Sequence, residues 1–329
     1  MKVISRAPGK LILFGEHFVV YDKTAIVMAI DRYVYSTISL RKDKDIHINS
    51  ETLGVEGVFS NGKYRPRKGG MEGKEKLQPL MKCINAVLAI YGKRVGLNIQ
   101  ISSDIPVAAG LGSSAATAVS LAAGLSELLE LGLSKEVINR LAYESEVMIH
   151  YTPSGVDNTI STYGGLLRYN KGWKNKIRRL RIKYDIPLLI ADTGRPRNTG
   201  VQVSIVRSIY NNFPKLFLEI LRVYDKIYRN AINAIKKRDL KELGLLMNIN
   251  QGLLSAVGVS SIELDILVNI ALDRGAYGAK LTGAGGGGCM ITLVDKDRAH
   301  DLEKSISKYC KEVLFVSTDN KGVTAKIVK

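Results

Sequence analysis

At 329 residues, with 48 Lys+Arg against 31 Asp+Glu for a formal charge of +17, the chain has the length of about two domains. A composition that is 46% hydrophobic and 24% charged can fill a sizeable core, which excludes disorder over most of the length. Three cysteines, Cys83, Cys289 and Cys310, show no CxxC spacing, which argues against a disulfide framework and a cysteine-based zinc site and points to the reducing cytoplasm.

Residues 1–10 hold three cations and a Pro-Gly turn, with no apolar run that could direct export, so no signal peptide is expected. Short β-rich runs follow at 2–6, 11–20, 25–40 and 96–103, with a helical stretch over 76–91 before the last of them. The stretch 105–126 is uncharged, but Pro106, three glycines and five Ser/Thr residues mark it as a buried loop and helix rather than a membrane span. Two helices in succession are predicted at 113–131 and 134–149. Ser134 caps the second, which aligns Val137, Ile138, Leu141 and Ala142 on one face.

Strands are predicted next at 165–170, 177–183 and 187–192, then long helices at 199–211, 214–236, 239–256 and 261–274. The chain returns to strands at 277–282 and 288–294, a helix at 296–309, and strands at 312–317 and 322–328. Because strands and helices do not alternate throughout, an α+β pair of domains is favoured over a doubly wound sheet. No repeat and no low-complexity linker separates the two units, which are set at 1–183 and 184–329.

The positive charge is mostly scattered through mixed-sign surface stretches such as Arg41, Lys42, Asp43, Lys44, Asp45. One run is denser, with seven cations over 171–183. Ile177, Leu180 and Ile182 interleave with them, as in a strand with a solvated basic face, and an RNA contact is the competing reading.

Two glycine loops stand out. In 106–116, Pro106, Gly110, Gly112, Ser113, Ser114 and Ala115 lie between a strand and a helix. Glycines there permit a tight turn, and the free N–H groups and dipole of the helix start suit a phosphate; close helix packing is the alternative. A P-loop is excluded, since no Gly-Lys-Ser/Thr follows either loop. A Rossmann dinucleotide site is weakened because a second helix, not a strand, comes next. The second run, 283–288, leads into the strand at 289–294, where a backbone that approaches a ligand closely is preferred over a flexible linker.

Several charged residues could serve these loops. Lys10 sits at the mouth of the apolar run Leu11-Ile12-Leu13-Phe14, followed by Gly15-Glu16-His17. Such a lysine can place a positive charge on phosphate or on a reacting hydroxyl, although Lys10 and His17 taken singly are ordinary surface residues. Glu146 ends a helix, and Asp157 follows the Pro153-Ser154-Gly155 turn. Together they can supply a magnesium ligand and a carboxylate near a substrate hydroxyl; Asp157 can equally be a turn or N-cap residue.

Taken together, these segments resemble the GHMP kinase family, whose three motifs match as Pro8-Gly9-Lys10 with Gly15-Glu16-His17, the loop 106–116, and the segment 280–288. Segments 154–165 and 195–199 (Arg195-Pro196-Arg197-Asn198-Thr199) are most similar to the branch that phosphorylates mevalonate. The resemblance implies a two-domain GHMP fold, nucleotide-binding over 1–183 and substrate-side over 184–329, with ATP and substrate in the cleft between. By the same resemblance Asp157 and Lys10 are the catalytic pair, Glu146 and Ser114 of the Ser113/Ser114 pair bind Mg²⁺, and Glu16, His17 and Thr199 lie near mevalonate.

The expected activity is therefore ATP-dependent phosphorylation of the mevalonate 5-hydroxyl, with no membrane partner and no nucleic acid; whether the chain forms a homodimer stays open. Competing readings are another small-molecule kinase of the family, acting on phosphomevalonate or homoserine, and a basic RNA-binding protein.

Overall fold

The computed structural model describes all residues except 107–109, 150–153, 172–175, 197 and 329. Strand β1 (Lys2–Phe14) buries alternate residues such as Val3, Ser5 and Ala7 and is interrupted by an irregularity in pairing between Pro8 and Gly9. A 3₁₀ turn over Phe18–Tyr21 follows, where the apolar run alone suggests a strand that continues to residue 20. Strand β2 (Thr24–Arg41) pairs antiparallel with β1 along its length.

A meander not predicted from sequence comes next, β3 (Ile46–Ser50), β4 (Val55–Ser60) and β5 (Lys63–Lys68). Helix α1 (Glu72–Tyr91) ends at Gly92 in the left-handed conformation, and β6 (Gly96–Ser103) leads to the first glycine loop. Helices α2 (Ser113–Leu128) and α3 (Lys135–Ile149) follow in succession, then a short α4 (Val156–Tyr163) where the sequence signals only a turn. Helix α2 buries most of its length, which accounts for its lack of charge without any membrane. Among the described residues no helix is long and apolar enough to cross one.

Strands β7 (Leu166–Asn170) and β8 (Lys176–Leu180) complete the first sheet, in which the order is β13-β1-β2-β6-β3-β4-β5, with β7 between β2 and β8. Among the described residues only β3 and β6 run parallel; their neighbours are antiparallel. The basic run at 171–183 thus contains the edge strand β8, and its residues 172–175 lie outside those described.

The second sheet, β10-β11-β9-β12, is antiparallel, formed by β9 (Leu188–Asp192), β10 (Gly278–Thr282), β11 (Cys289–Leu293) and β12 (Glu312–Val316). Four helices separate β9 from β10: α5 (Thr199–Asn212), α6 (Pro214–Lys237), α7 (Leu240–Ala256) and α8 (Ile262–Asp273). Three carry side-chain caps of the kind that satisfies first-turn amides, from Asn198, Asp239 and Ser261. Helix α9 (Lys296–Ile306) packs against this sheet, and β13 (Thr324–Val328) crosses back to pair with β1 in the first. The expected C-terminal unit, 184–329, therefore gives its last strand to the other sheet. One continuous apolar core joins the layers, from Val3 and Ile38 on the first sheet to Ile190 and Leu281 on the second.

Candidate active site

The irregularity in β1 brings its backbone against the first glycine loop. A Cβ on Gly9 would stand 2.9 Å from the Leu111 carbonyl, and the next amide, Lys10 N–H, donates to that same oxygen at 2.8 Å. Glycine at residue 9 is what permits this approach. Lys10 is thereby fixed at the start of α2, with its side chain only 12% exposed.

Gly112 is the N-cap of α2, at φ +78°, and having no side chain it leaves the first-turn amides uncapped. Uncapped first-turn N–H groups at the positive end of a helix dipole suit an anion such as phosphate. Ser114 lies in that turn, and its hydroxyl donates to Glu146 Oε1 of α3 at 3.1 Å. Glu146 itself is buried. Its neighbour Ser145 donates to the Pro79 carbonyl of α1 at 2.9 Å, which holds the end of α3 in place. A hydroxyl and a carboxylate converging beside a phosphate-binding turn are hard oxygen donors of the kind Mg²⁺ takes while sharing phosphate oxygens. Pro106 and Gly110 flank residues 107–109, which lie outside those described, and Ala115 is buried under the turn.

Asp157 occupies the first turn of α4, two residues after the N-cap Gly155. Its Oδ1 is 3.3 Å from Lys10 Nζ, and the carboxylate remains 37% exposed, open to a ligand. The pair stands at a cavity of about 390 Å³, walled by Ile12, Val19, Val27 and Val156, with Tyr169 and Lys171 also lining it. A cleft of that size with an apolar wall and few charges is typical of a small-molecule site. A larger cavity, about 600 Å³, lies between α1 and the starts of β3 and β6, at the far end of β6 from the glycine loop. Chemistry decides between them, since Lys10 and Asp157 line only the first.

Glu16 and His17, which the resemblance puts near mevalonate, lie on the seam between β1 and the second glycine run. The Glu16 side chain is fully buried in an ion pair with Lys280 of β10 and does not line the cavity. His17 is buried too, with Nε2 at 2.7 Å from the Ala284 carbonyl in the second glycine run. Burial pulls its imidazole below the usual histidine range, against the opposing pull of that carbonyl and of Glu16. Thr199 begins α5 and is exposed, two residues beyond Arg197, which lies outside the described residues.

The second glycine run is closely held. Gly286 N–H donates to Val259 O at 2.8 Å and Gly288 N–H to Arg195 O at 3.1 Å. At Gly285, φ is +78° and a Cβ would fall 2.0 Å from the Val259 carbonyl oxygen, so glycine is required there by space as well as by conformation. Sequence reasoning gave no part to Tyr169, placed Lys171 only in the basic run and Lys280 only at the head of the third motif, and gave neither a place in the cleft. For Lys280 a signal existed: a lone cation in a strand of otherwise small and apolar residues must find a buried partner.

Comparison with known proteins gives a consistent picture. Residues 79–165 match the family described as GHMP kinases N terminal domain, and residues 231–312 match GHMP kinases C terminal. The chain is 41% identical over 302 residues to a mevalonate kinase from Pyrococcus furiosus, covering 89% of each. It is 38% identical over 320 residues to one from Aeropyrum pernix, covering 96% of each. Among solved structures it superposes on L. major mevalonate kinase in complex with R-mevalonate with a TM-score of 0.82 at 30% identity, covering 96% of this chain and 95% of that one. The mevalonate kinase of Methanococcus jannaschii gives the same TM-score and identity, covering 96% and 98%.

Proposed function

Since the chain belongs to the GHMP kinase family, we propose that its cleft transfers the γ-phosphoryl group of ATP to the 5-hydroxyl of mevalonate. It is an ATP-dependent small-molecule kinase, and each part of that task falls to a particular group in the cleft. The observation that carries the assignment is the Lys10–Asp157 pair, 3.3 Å apart, at the mouth of an apolar cavity and beside the uncapped start of α2.

The first-turn amides after Gly112 hold phosphate oxygens, and the hydroxyl of Ser114 with the carboxylate of Glu146 would hold Mg²⁺ against them. Magnesium, when bound, offsets the charge that gathers on the phosphate oxygens. The acceptor lies in the 390 Å³ cavity, its apolar carbons against Ile12, Val19 and Val27 and its carboxylate toward Lys171. That pose turns the terminal hydroxyl to Asp157, which takes or orients its proton, while Lys10 offsets charge at the attacking oxygen. In phosphoryl transfer the protein mostly positions groups and stabilises charge, so this set is sufficient.

A coupled ADP-release assay with mevalonate, phosphomevalonate and homoserine in parallel tests the acceptor. Turnover on mevalonate far above the other two is expected; a preference for either of the others reassigns the cavity.

A further inference from the structure

Lys280 has no exposed surface, and neither does the side chain of Glu16 that it pairs with, 264 residues earlier in the chain. Its ammonium also donates to the Leu281 carbonyl at 2.7 Å. Glu16 Oε2 is buried with no hydrogen-bond partner among the described residues. Burial pulls the lysine below its ordinary range, and Glu16 pulls it back. A charge pair held at such depth is a poor way to gain stability, because desolvation of both ions offsets most of their attraction and well-packed neutral groups do as well. A role beyond stability has to be sought in what the pair connects.

The connection is specific. Glu16 lies six residues after Lys10, just past the end of β1, the strand that carries Lys10 and the cavity-lining Ile12. Lys280 lies in β10, which runs directly into the glycine run 283–288. Two neutral contacts flank the pair. The Thr282 hydroxyl donates to Ile12 O at 2.8 Å and accepts from Ile12 N–H at 3.2 Å, and the His17 ring meets Ala284 O at 2.7 Å. The three contacts form a seam between the two sheets, and the charged one is its only member that a neutral pair of side chains of similar volume could replace while the backbone contacts remain.

We propose that Lys280 is a positioning residue: through its buried pair with Glu16 it sets the distance between the β1 segment that lines the acceptor cavity and the start of the second glycine run. Neither member of the pair lines the acceptor cavity. Its effect is on how well the cavity wall is placed. The inference rests on the assignment of that cavity to mevalonate, so its test includes a readout without substrate.

Four proteins are compared: wild type, Lys280→Met, the neutral double variant Glu16→Gln/Lys280→Met, and Glu16→Asp, which keeps the charge but shortens its reach. The single Lys280→Met leaves a buried carboxylate without its partner and is expected to melt earlier. The double variant removes that charge and is expected to recover most of the lost melting temperature. If the pair positions the wall, the recovered double variant and Glu16→Asp still show a KM for mevalonate raised on the order of tenfold, as small misplacements near a site can cause, with the KM for ATP within about twofold of wild type. Amide hydrogen exchange over 12–17 and 283–288 rises in both variants, with or without substrate. A double variant with recovered melting, wild-type KM values and unchanged exchange overturns the proposal and leaves a purely structural pair. Should the double variant not fold, Glu16→Asp decides by the same two readouts. Wild-type protein inactive on mevalonate overturns the acceptor assignment alone, and the exchange data then judge the seam.

Discussion

The aliphatic stem of Lys10 lies on Gly112, so close that a Cβ at residue 112 would stand 2.7 Å from Lys10 Cγ. The glycine therefore serves two ends. It supplies the left-handed turn at φ +78° that starts α2, and it leaves room for the lysine that crosses it toward Asp157.

Gly112→Val should damage both. The left-handed conformation costs a non-glycine residue about 1–3 kcal/mol, which a melting curve will register. Lys10 must also move, and a shift of an ångström at a reacting group can lower the rate on the order of 10²-fold. We expect weaker ATP binding and a lower kcat in a protein that still folds. Unchanged ATP affinity and kcat would remove this turn from the site.

Glu146→Gln keeps an oxygen to accept from the Ser114 hydroxyl, so the link between α2 and α3 survives and the fold with it. What it loses is the negative charge offered to a hard cation. Even partners one step removed from a metal commonly change affinity by about 10- to 100-fold, so the Mg²⁺ needed for half-maximal rate should rise on the order of tenfold or more. A magnesium titration that overlays wild type would make Glu146 a structural residue at the end of α3.

His17 ties stability to pH. Its folded imidazole titrates below the unfolded value of 6.5, chiefly through burial, so in the window beneath 6.5 the unfolded chain binds the extra proton. More protons bound when unfolded means that stability rises with pH there. The contribution is whole above about 6.5 and is lost as pH falls through the lower folded value. Melting temperature should thus drop between neutral and mildly acidic pH in wild type and drop less in His17→Gln. Carboxylates titrate in both proteins, so the difference isolates His17; parallel curves would contradict its being held neutral.

Much of this could be read from sequence, and the places where it could not are instructive. The long helices α5 to α8 appear within a residue or two of where apolar spacing put them, because their starts are marked locally, by the caps Asn198, Asp239 and Ser261 and by Pro214 at the head of α6. Strand β5 was invisible, since KYRPRK buries only Tyr64 and carries a proline. Helix α4 hid behind Ser154-Gly155, whose turn chemistry outweighs eight residues of helix. In the site, Lys10 meets Asp157 and Ser114 meets Glu146, residues the family's motifs name from segments far apart in the chain. The resemblance puts Glu16 near the acceptor without naming Lys280, the buried partner it meets from 264 residues later in the chain. Nothing local to Gly15-Glu16-His17 names that partner, and only the docking of β10 against the end of β1 supplies it.

The most direct measurement is steady-state ADP release with mevalonate by wild type and Asp157→Asn, on preparations whose melting and ATP affinity are matched. The amide preserves size but cannot take the hydroxyl proton or carry the charge that faces Lys10 at 3.3 Å. A positioned acid or base contributes on the order of 10²–10⁴ in rate. The prediction is robust wild-type turnover on mevalonate and a loss of that size in the variant, confined mainly to kcat. A variant kcat within about a few-fold of wild type would contradict it, because by that scale Asp157 would be no more than the first-turn residue of a short helix.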